Sequence, residues 1–273
     1  MDKLMERLNE TVTYLKNQKT PVPRIGIVLG SGLGSFKDEI EISAAIDYNE
    51  IPHFPVSTVE GHQGKLLFGT LNGQQVVAMA GRFHFYEGYN AGEVVFPIRV
   101  MKLLGIEVLI LTNAAGGVNP NMKVGDLMII NDHISLNITN PLLGKNVSEL
   151  GERFPDMSEP YSKEIIEKAK NIATALSLPI LEGVYFGVTG PTFETRAEYK
   201  MISILGGDAV GMSTVQEVIA ANHMGLPVFA LSVITDLGIR DEENIITHEE
   251  VLHAAKEAEP KVAALIRELV VVL

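Results

Sequence analysis

"EVLILTNAAGG", residues 107–117, is an apolar run that closes on a polar, glycine-rich cluster. A short apolar run bounded by turn signals reads as a buried strand. The same design recurs at "LGSGLGS" (29–35), "VTGPTFET" (188–195), "VGMST" (210–214) and "VITD" (233–236). In open α/β sheets, ligands sit outside the carboxyl ends of the strands. Five such ends predict one shared pocket assembled from distant parts of the chain.

Working outward, helical spacing covers residues 3–18, where Leu4, Leu8, Val12 and Leu15 line one face. Helices are also expected at 162–178, 195–207, 214–225 and from Thr247 onward. Asn72-Gly73, between two apolar runs, is a hairpin signal. Residues 140–160, rich in Pro, Gly and Asn, read as a long loop. Alternating strands and helices, with no repeat or linker, predict an α/β fold of one domain over 1–273. Its mixed sheet is covered by helices.

Composition narrows the function. Of 273 residues, 46% are hydrophobic, enough for a substantial core. There is no cysteine, so thiolate metal sites and disulfides are excluded and a cytoplasmic home is expected. The charged start lacks the apolar run of a signal peptide. The most apolar stretch, 94–112, is interrupted by Arg99, Lys102 and Glu107, so no membrane span is expected. A net charge of −12 argues against a nucleic-acid partner, although a single phosphate needs only local donors.

"GRFHFYEGY" (81–89) sets Arg82 and His84 two residues apart. In a strand that spacing puts both on one face. Arginine offers a planar fork for phosphate oxygens, and histidine a proton or hydrogen bond near neutral pH. Glu87 could orient the imidazole, and a bend after His84 would free Tyr86 to reach the same side. The glycines of "GSGLGS" follow a strand and either cradle a phosphate or make a tight turn; their spacing fails the dinucleotide fingerprint. Thr214 and Glu217 have capping-box spacing, which leaves Ser213 as a cap or as an anion donor before a helix. Thr195 with Glu198, and Thr247 with Glu250, repeat that spacing. Glu194 stands beside Phe193 just outside the first of these. It either favours the helix dipole or accepts from a flat heterocycle. His53, His133, His223 and His253 receive no role, and no metal site is expected.

Taken in order, "GIVLGSGLG", "STVEGHQGKLLFG", "GRFHFYEGY", "LTNAAGGVNP", "GERFPDMS", "GPTFETRAE", "VGMSTVQEVIAA" and "THEEVLHAAK" resemble the trimeric purine nucleoside phosphorylases over most of the chain. The resemblance implies a distorted, barrel-like sheet of the nucleoside phosphorylase/hydrolase kind. The implied reaction is that of a pentosyltransferase. Purine nucleoside and phosphate give free purine and (deoxy)ribose 1-phosphate, in purine salvage, with phosphate as co-substrate and no cofactor.

Carried over by residue, the implied phosphate site is Ser31, Arg82, His84, Ala114 and Ser213, with His62 nearby. The ribose would meet Tyr86, Met212 and His248. The purine would meet Phe193, Glu194, Asp236 and Tyr185. Phe154 would be lent to a neighbouring active site in a homotrimer. His84, Glu87, Glu194 and Asp236 are the groups expected to matter most for the chemistry. Glu194 can accept from N1–H of a 6-oxopurine, which favours inosine and guanosine. The family usually has asparagine where this chain has Asp236. An ionised aspartate only accepts, whereas a protonated one, with a pKa raised above ~3.9, would donate. An enzyme preferring adenosine or methylthioadenosine is therefore the alternative, with a non-catalytic nucleotide-binding module as a remote one.

Overall fold

The computed structural model of the chain describes residues 3–58, 63–238 and 246–273. Among these, the strands are β1 (Ile25–Leu29), β2 (Glu41–Asp47), β3 (Lys65–Leu71), β4 (Gln74–Ala80), β5 (Val108–Gly117), β6 (Leu127–Ile134), β7 (Leu181–Gly187), β8 (Ala209–Gly211) and β9 (Val228–Leu237). The helices are α1 (Lys3–Asn17), α2 (Ala91–Val94), α3 (Phe96–Leu104), α4 (Lys163–Ala175), α5 (Arg196–Ile204), α6 (Val215–His223) and α7 (His248–Leu269). No described helix is long and apolar enough to cross a membrane.

The strands form one mixed sheet in the order β2-β3-β4-β1-β5-β8-β7-β6-β9. β9 also pairs with β5 in parallel, from Leu109 opposite Val228 to Gly117 opposite Leu237. That second pairing closes β5, β8, β7, β6 and β9 into a five-stranded barrel, and β1 to β4 extend outward from it. The barrel-like sheet expected from the resemblance is therefore present. β1 is buried along its whole length and β9 along all but its last residue. Strands covered on both faces read as continuous apolar runs, as these do. The hairpin turns at Asn72 (φ 47°) and Gly73 (φ 84°), the left-handed pair that a two-residue turn requires. The segment 135–162 holds no helix or strand.

Two local expectations change. First, β4 ends at Ala80, so Arg82 and His84 lie beyond the strand. The backbone remains extended at His84 (φ −116°, ψ 149°), and the two side chains still reach one cavity. Phe83 between them turns the other way, packing on Tyr48, Phe54 and Tyr89. A short 3₁₀ turn over Phe85–Glu87 supplies the bend that frees Tyr86.

Second, Thr214 and Glu217 do not form a capping box. Thr214 has φ 68° and ψ −53°, and its side chain makes no cap bond. The Val215 N–H donates to Ser213 O at 2.7 Å. Ser213–Thr214–Val215 is thus the tight γ-turn of positive φ, which is rare and strained. Such strain costs about 1–3 kcal/mol and concentrates at functional sites. The boxes at Thr195/Glu198 and Thr247/Glu250 do form. After β1, "GSGLGS" makes a tight turn into a 3₁₀ segment (Gly34–Glu39), without the long helix a dinucleotide site needs.

Candidate active site

The carboxyl end of β5 and the segment 211–213 that leads into α6 line a cavity of about 620 Å³. All five polar strand ends reach it, through Ser31, Asn113 to Gly116, Phe193 with Glu194, Gly211 to Ser213, and Asp236. Tyr86 and His248 complete the rim. A Cβ at Gly116 would come within 2.9 Å of Asp236 Oδ2, so glycine there leaves room for that carboxylate.

One end of the cavity is basic and internally wired. Arg82 is 1% exposed. Its Nε and Nη2 donate to the two carboxylate oxygens of Glu217 at 3.2 and 2.9 Å. Nη1 donates to Thr112 O at 2.6 Å and reaches Ser213 Oγ at 3.4 Å. Glu217 lies 135 residues away in sequence and does the work of orienting this guanidinium rather than capping its own helix. Ser213 N–H donates to Tyr185 Oη at 3.3 Å, and Asn113 Nδ2 to Thr214 Oγ1 at 2.9 Å, which anchor the γ-turn from behind.

His84 is held beside this arginine. Glu87 Oε1 accepts from His84 N–H at 2.8 Å and meets His84 Nδ1 at 3.0 Å. Glu87 Oε2 accepts from the Thr58 N–H and hydroxyl at 2.8 and 2.6 Å. Burial works to raise the Glu87 pKa, but the His84 and Thr58 hydrogen bonds outweigh it and bring the value down to about 2. An ionised carboxylate can only accept, so Nδ1 carries the proton. Burial pulls the His84 pKa below its ordinary value, against the hydrogen bond it donates to Glu87, which pushes it up. The neutral ring that results has Nε2 as its acceptor nitrogen. Tyr86 stacks on this ring, with centroids 4.6 Å apart and planes 16° from parallel.

The other end is acidic. Glu194 and Asp236 both line it, and Tyr199 of α5 sits between them. The Tyr199 hydroxyl donates to Asp236 Oδ2 at 3.4 Å and also bonds to Glu194. Thr235 Oγ1 donates to Asp236 Oδ1 at 3.1 Å. Burial raises the Glu194 pKa, and the nearby Asp236 charge adds to the rise. Burial and the two carboxylates push the Tyr199 phenol far upward, so it remains a proton donor.

Residues 24–271 match the family described as the phosphorylase superfamily. The chain belongs to that family. Purine nucleoside phosphorylase 1 of Bacillus subtilis is 49% identical over 98% of both chains. Its namesake from Geobacillus stearothermophilus is 50% identical over 96% of each, and the Rattus norvegicus purine nucleoside phosphorylase 47% identical over 94% of this chain. A Schistosoma mansoni purine nucleoside phosphorylase crystallised with adenosine superposes with a TM-score of 0.92 at 40% identity, over 97% of this chain and 96% of that one. Isoform 2 from the same organism, crystallised with cytosine and ribose-1-phosphate, gives 0.92 at 44%, over 97% and 95%. The chain is accordingly a purine nucleoside phosphorylase, a pentosyltransferase.

Against that family, most residues singled out in the sequence converge. Ser31, Arg82, His84, Tyr86, Glu87, Ala114, Phe193, Glu194, Met212, Ser213, Asp236 and His248 all line the one cavity. Tyr185 does not. It is fully buried behind the wall, and burial lifts its pKa to about 12. Its hydroxyl supports Ser213 at the basic end rather than a purine. Phe154 is 85% exposed on the 135–162 segment and is not part of this protomer's cavity wall. His62 lies outside the described residues.

Three contributors were missed: Glu217, Tyr199 and Thr58. Glu217 was hidden by its capping-box spacing, and Tyr199 by its place in an amphipathic helix. Thr58 and Glu217 did carry a signal, since they lie in the "STVEGHQGKLLFG" and "VGMSTVQEVIAA" blocks.

Proposed function

We propose that this phosphorylase acts chiefly on inosine and guanosine, ribosyl or deoxyribosyl, with some turnover of adenosine. The observation that carries the reading is the division of the cavity, with the Arg82 guanidinium and the Ser213 hydroxyl at one end and the Glu194 and Asp236 carboxylates at the other. Phosphate would lie against Arg82, Ser213, Ser31 and the Ala114 backbone. His84, neutral with Nε2 as acceptor, would take the hydroxyl of hydrogen phosphate. This revises the expectation of two donors: Arg82 donates and His84 accepts. His62 would lie nearby. Tyr86, Met212 and His248 would enclose the sugar, and Phe193 would cover the base.

As the glycosidic bond breaks, the sugar gains positive charge and the purine negative charge. A phosphate held beneath the sugar stabilises the first, and hydrogen bonds to the base stabilise the second. Positioning and preorganised electrostatics suffice, without a metal, an organic cofactor or a covalent intermediate. Glu194 would accept from N1–H, and from the 2-amino group of guanine.

Asp236 supports the second reading, toward adenosine. Two hydroxyls donate to its carboxylate, an arrangement that suits an acceptor facing the 6-amino group of adenine. In the same reading the enzyme is a cytoplasmic homotrimer serving purine salvage, with Phe154 of each protomer completing its neighbour's ribose pocket. The test is kcat/KM for inosine, guanosine and adenosine in phosphate. Inosine and guanosine should lead, with measurable adenosine turnover that falls in Asp236→Asn. A strong adenosine preference overturns the first part. Absent adenosine turnover, unchanged by Asp236→Asn, overturns the second.

A further inference from the structure

A second cavity, of about 360 Å³, opens between the start of α1, the α2–α3 segment and the 139–147 loop. None of its lining residues is shared with the active site. We propose that it is an oxyanion site, centred on Arg99, that takes phosphate either free or as a small sugar monoester.

Arg99 is 5% exposed. Its Nη2 only grazes Pro141 O at 3.5 Å, and its buried Nε has no hydrogen-bond partner. Among the described residues no carboxylate lies within ion-pair distance of it. The other buried arginine, Arg82, is by contrast paired within the protein, with Glu217. Burying a cation without a counter-charge is costly, so an unpaired one marks a place where the counter-charge arrives from outside.

The surroundings have the matching sign. Arg7 and Lys145 line the same cavity, Arg7 with its guanidinium 5.2 Å from the Phe96 ring centroid. Glu93 lines it too, but its carboxylate accepts from the Asn90 N–H at 2.9 Å. His223 on the wall has its pKa depressed, first by burial and then by the Arg99 charge. A local surplus of positive charge thus persists in a chain whose net charge is −12. A planar guanidinium backed by two flexible cations suits a dianionic oxyanion better than a single carboxylate. The volume admits a phosphate carrying a pentose.

Equilibrium dialysis with labelled inorganic phosphate tests this, using the full chain and Arg99→Met, which keeps the volume and removes the charge. Two anions per protomer are expected in the unaltered protein and one in Arg99→Met, with phosphate-dependent inosine cleavage retained. Arg99→Met should also raise Tm in phosphate-free buffer, since an uncompensated buried charge is gone. Arg7→Gln, at an exposed position, should weaken the second anion by roughly threefold or more. A parallel titration with ribose 5-phosphate separates the sources: tighter binding than phosphate identifies a monoester site, equal binding a free-anion site. One phosphate per protomer in both proteins overturns the proposal. So does dissociation of an oligomer in Arg99→Met with unchanged stoichiometry, which would mean that a second copy of the chain supplies the counter-charge.

Discussion

At the Arg82 end of the active-site cavity the arginine, the histidine and both of their carboxylates are hydrogen-bonded to one another in fixed pairs, whereas at the Glu194 end two carboxylates share one tyrosine hydroxyl. The first arrangement is rigid before substrate arrives. Arg82 is fixed by Glu217, His84 by Glu87, and Ser213 by a γ-turn backed by Tyr185. The second sets two carboxylates at one end of the cavity, where a base that carries hydrogen-bond donors would meet acceptors. In the proposed reading the Arg82 end holds one invariant ligand, phosphate, and the Glu194 end chooses among bases. Substitutions at the first should therefore damage stability and turnover together. At the second they should change the ratio between substrates and leave the fold intact.

Arg82→Ala puts this contrast under the greatest load. It strands Glu217 in the interior and, in the proposed reading, removes a phosphate donor, so it should cost about 3–5 kcal/mol of stability as well as roughly 10²–10³ in kcat/KM. The paired change Arg82→Met with Glu217→Leu should recover much of the stability in denaturant unfolding without restoring turnover. Recovery of both would show that Arg82 is purely structural.

Glu194→Gln should lower kcat/KM for inosine by roughly 10²-fold and leave adenosine nearly unchanged, with an unaltered urea midpoint. Equal losses for both nucleosides would remove the discriminating role of Glu194.

Tyr199→Phe keeps the ring and deletes the shared donor. One net hydrogen bond of about 1 kcal/mol predicts roughly a fivefold shift in the inosine-to-adenosine ratio, read from paired kcat/KM values. An unchanged ratio would reduce Tyr199 to packing.

The smallest effect is a pH dependence at the basic end. The Glu87 pKa is depressed to about 2, so its hydrogen bonds stabilise the fold above the ordinary carboxylate range and are lost as pH falls toward 2. Glu87→Gln should lower Tm at neutral pH and converge on the unaltered protein in acid. A constant Tm gap down to pH 2 would deny the linkage.

The same contrast explains what the sequence revealed. Strand ends were legible because apolar runs stopping at Gly, Ser, Thr or Asp are local patterns, and β9 closing on β5 gathers them mechanically. The Arg82 and His84 pairing was legible from period-two spacing, although the strand stops two residues earlier. Long-range pairing was not. Glu217 carries the spacing of a helix cap, and only the fold brings it to Arg82. Tyr185 was placed at the purine by the family resemblance alone, and in the fold its hydroxyl reaches Ser213 from behind the wall. Tyr199 looked like one more apolar position of α5, since nothing local announces that two acids will converge on it.

The central claim is that bound phosphate is the nucleophile, and formation of ribose 1-phosphate from inosine, with and without inorganic phosphate, tests it most directly. The account predicts hypoxanthine and ribose 1-phosphate in equal amounts, saturating in phosphate, with turnover nearly vanishing in its absence. Hypoxanthine released at an undiminished rate without phosphate, alongside free ribose, would contradict it.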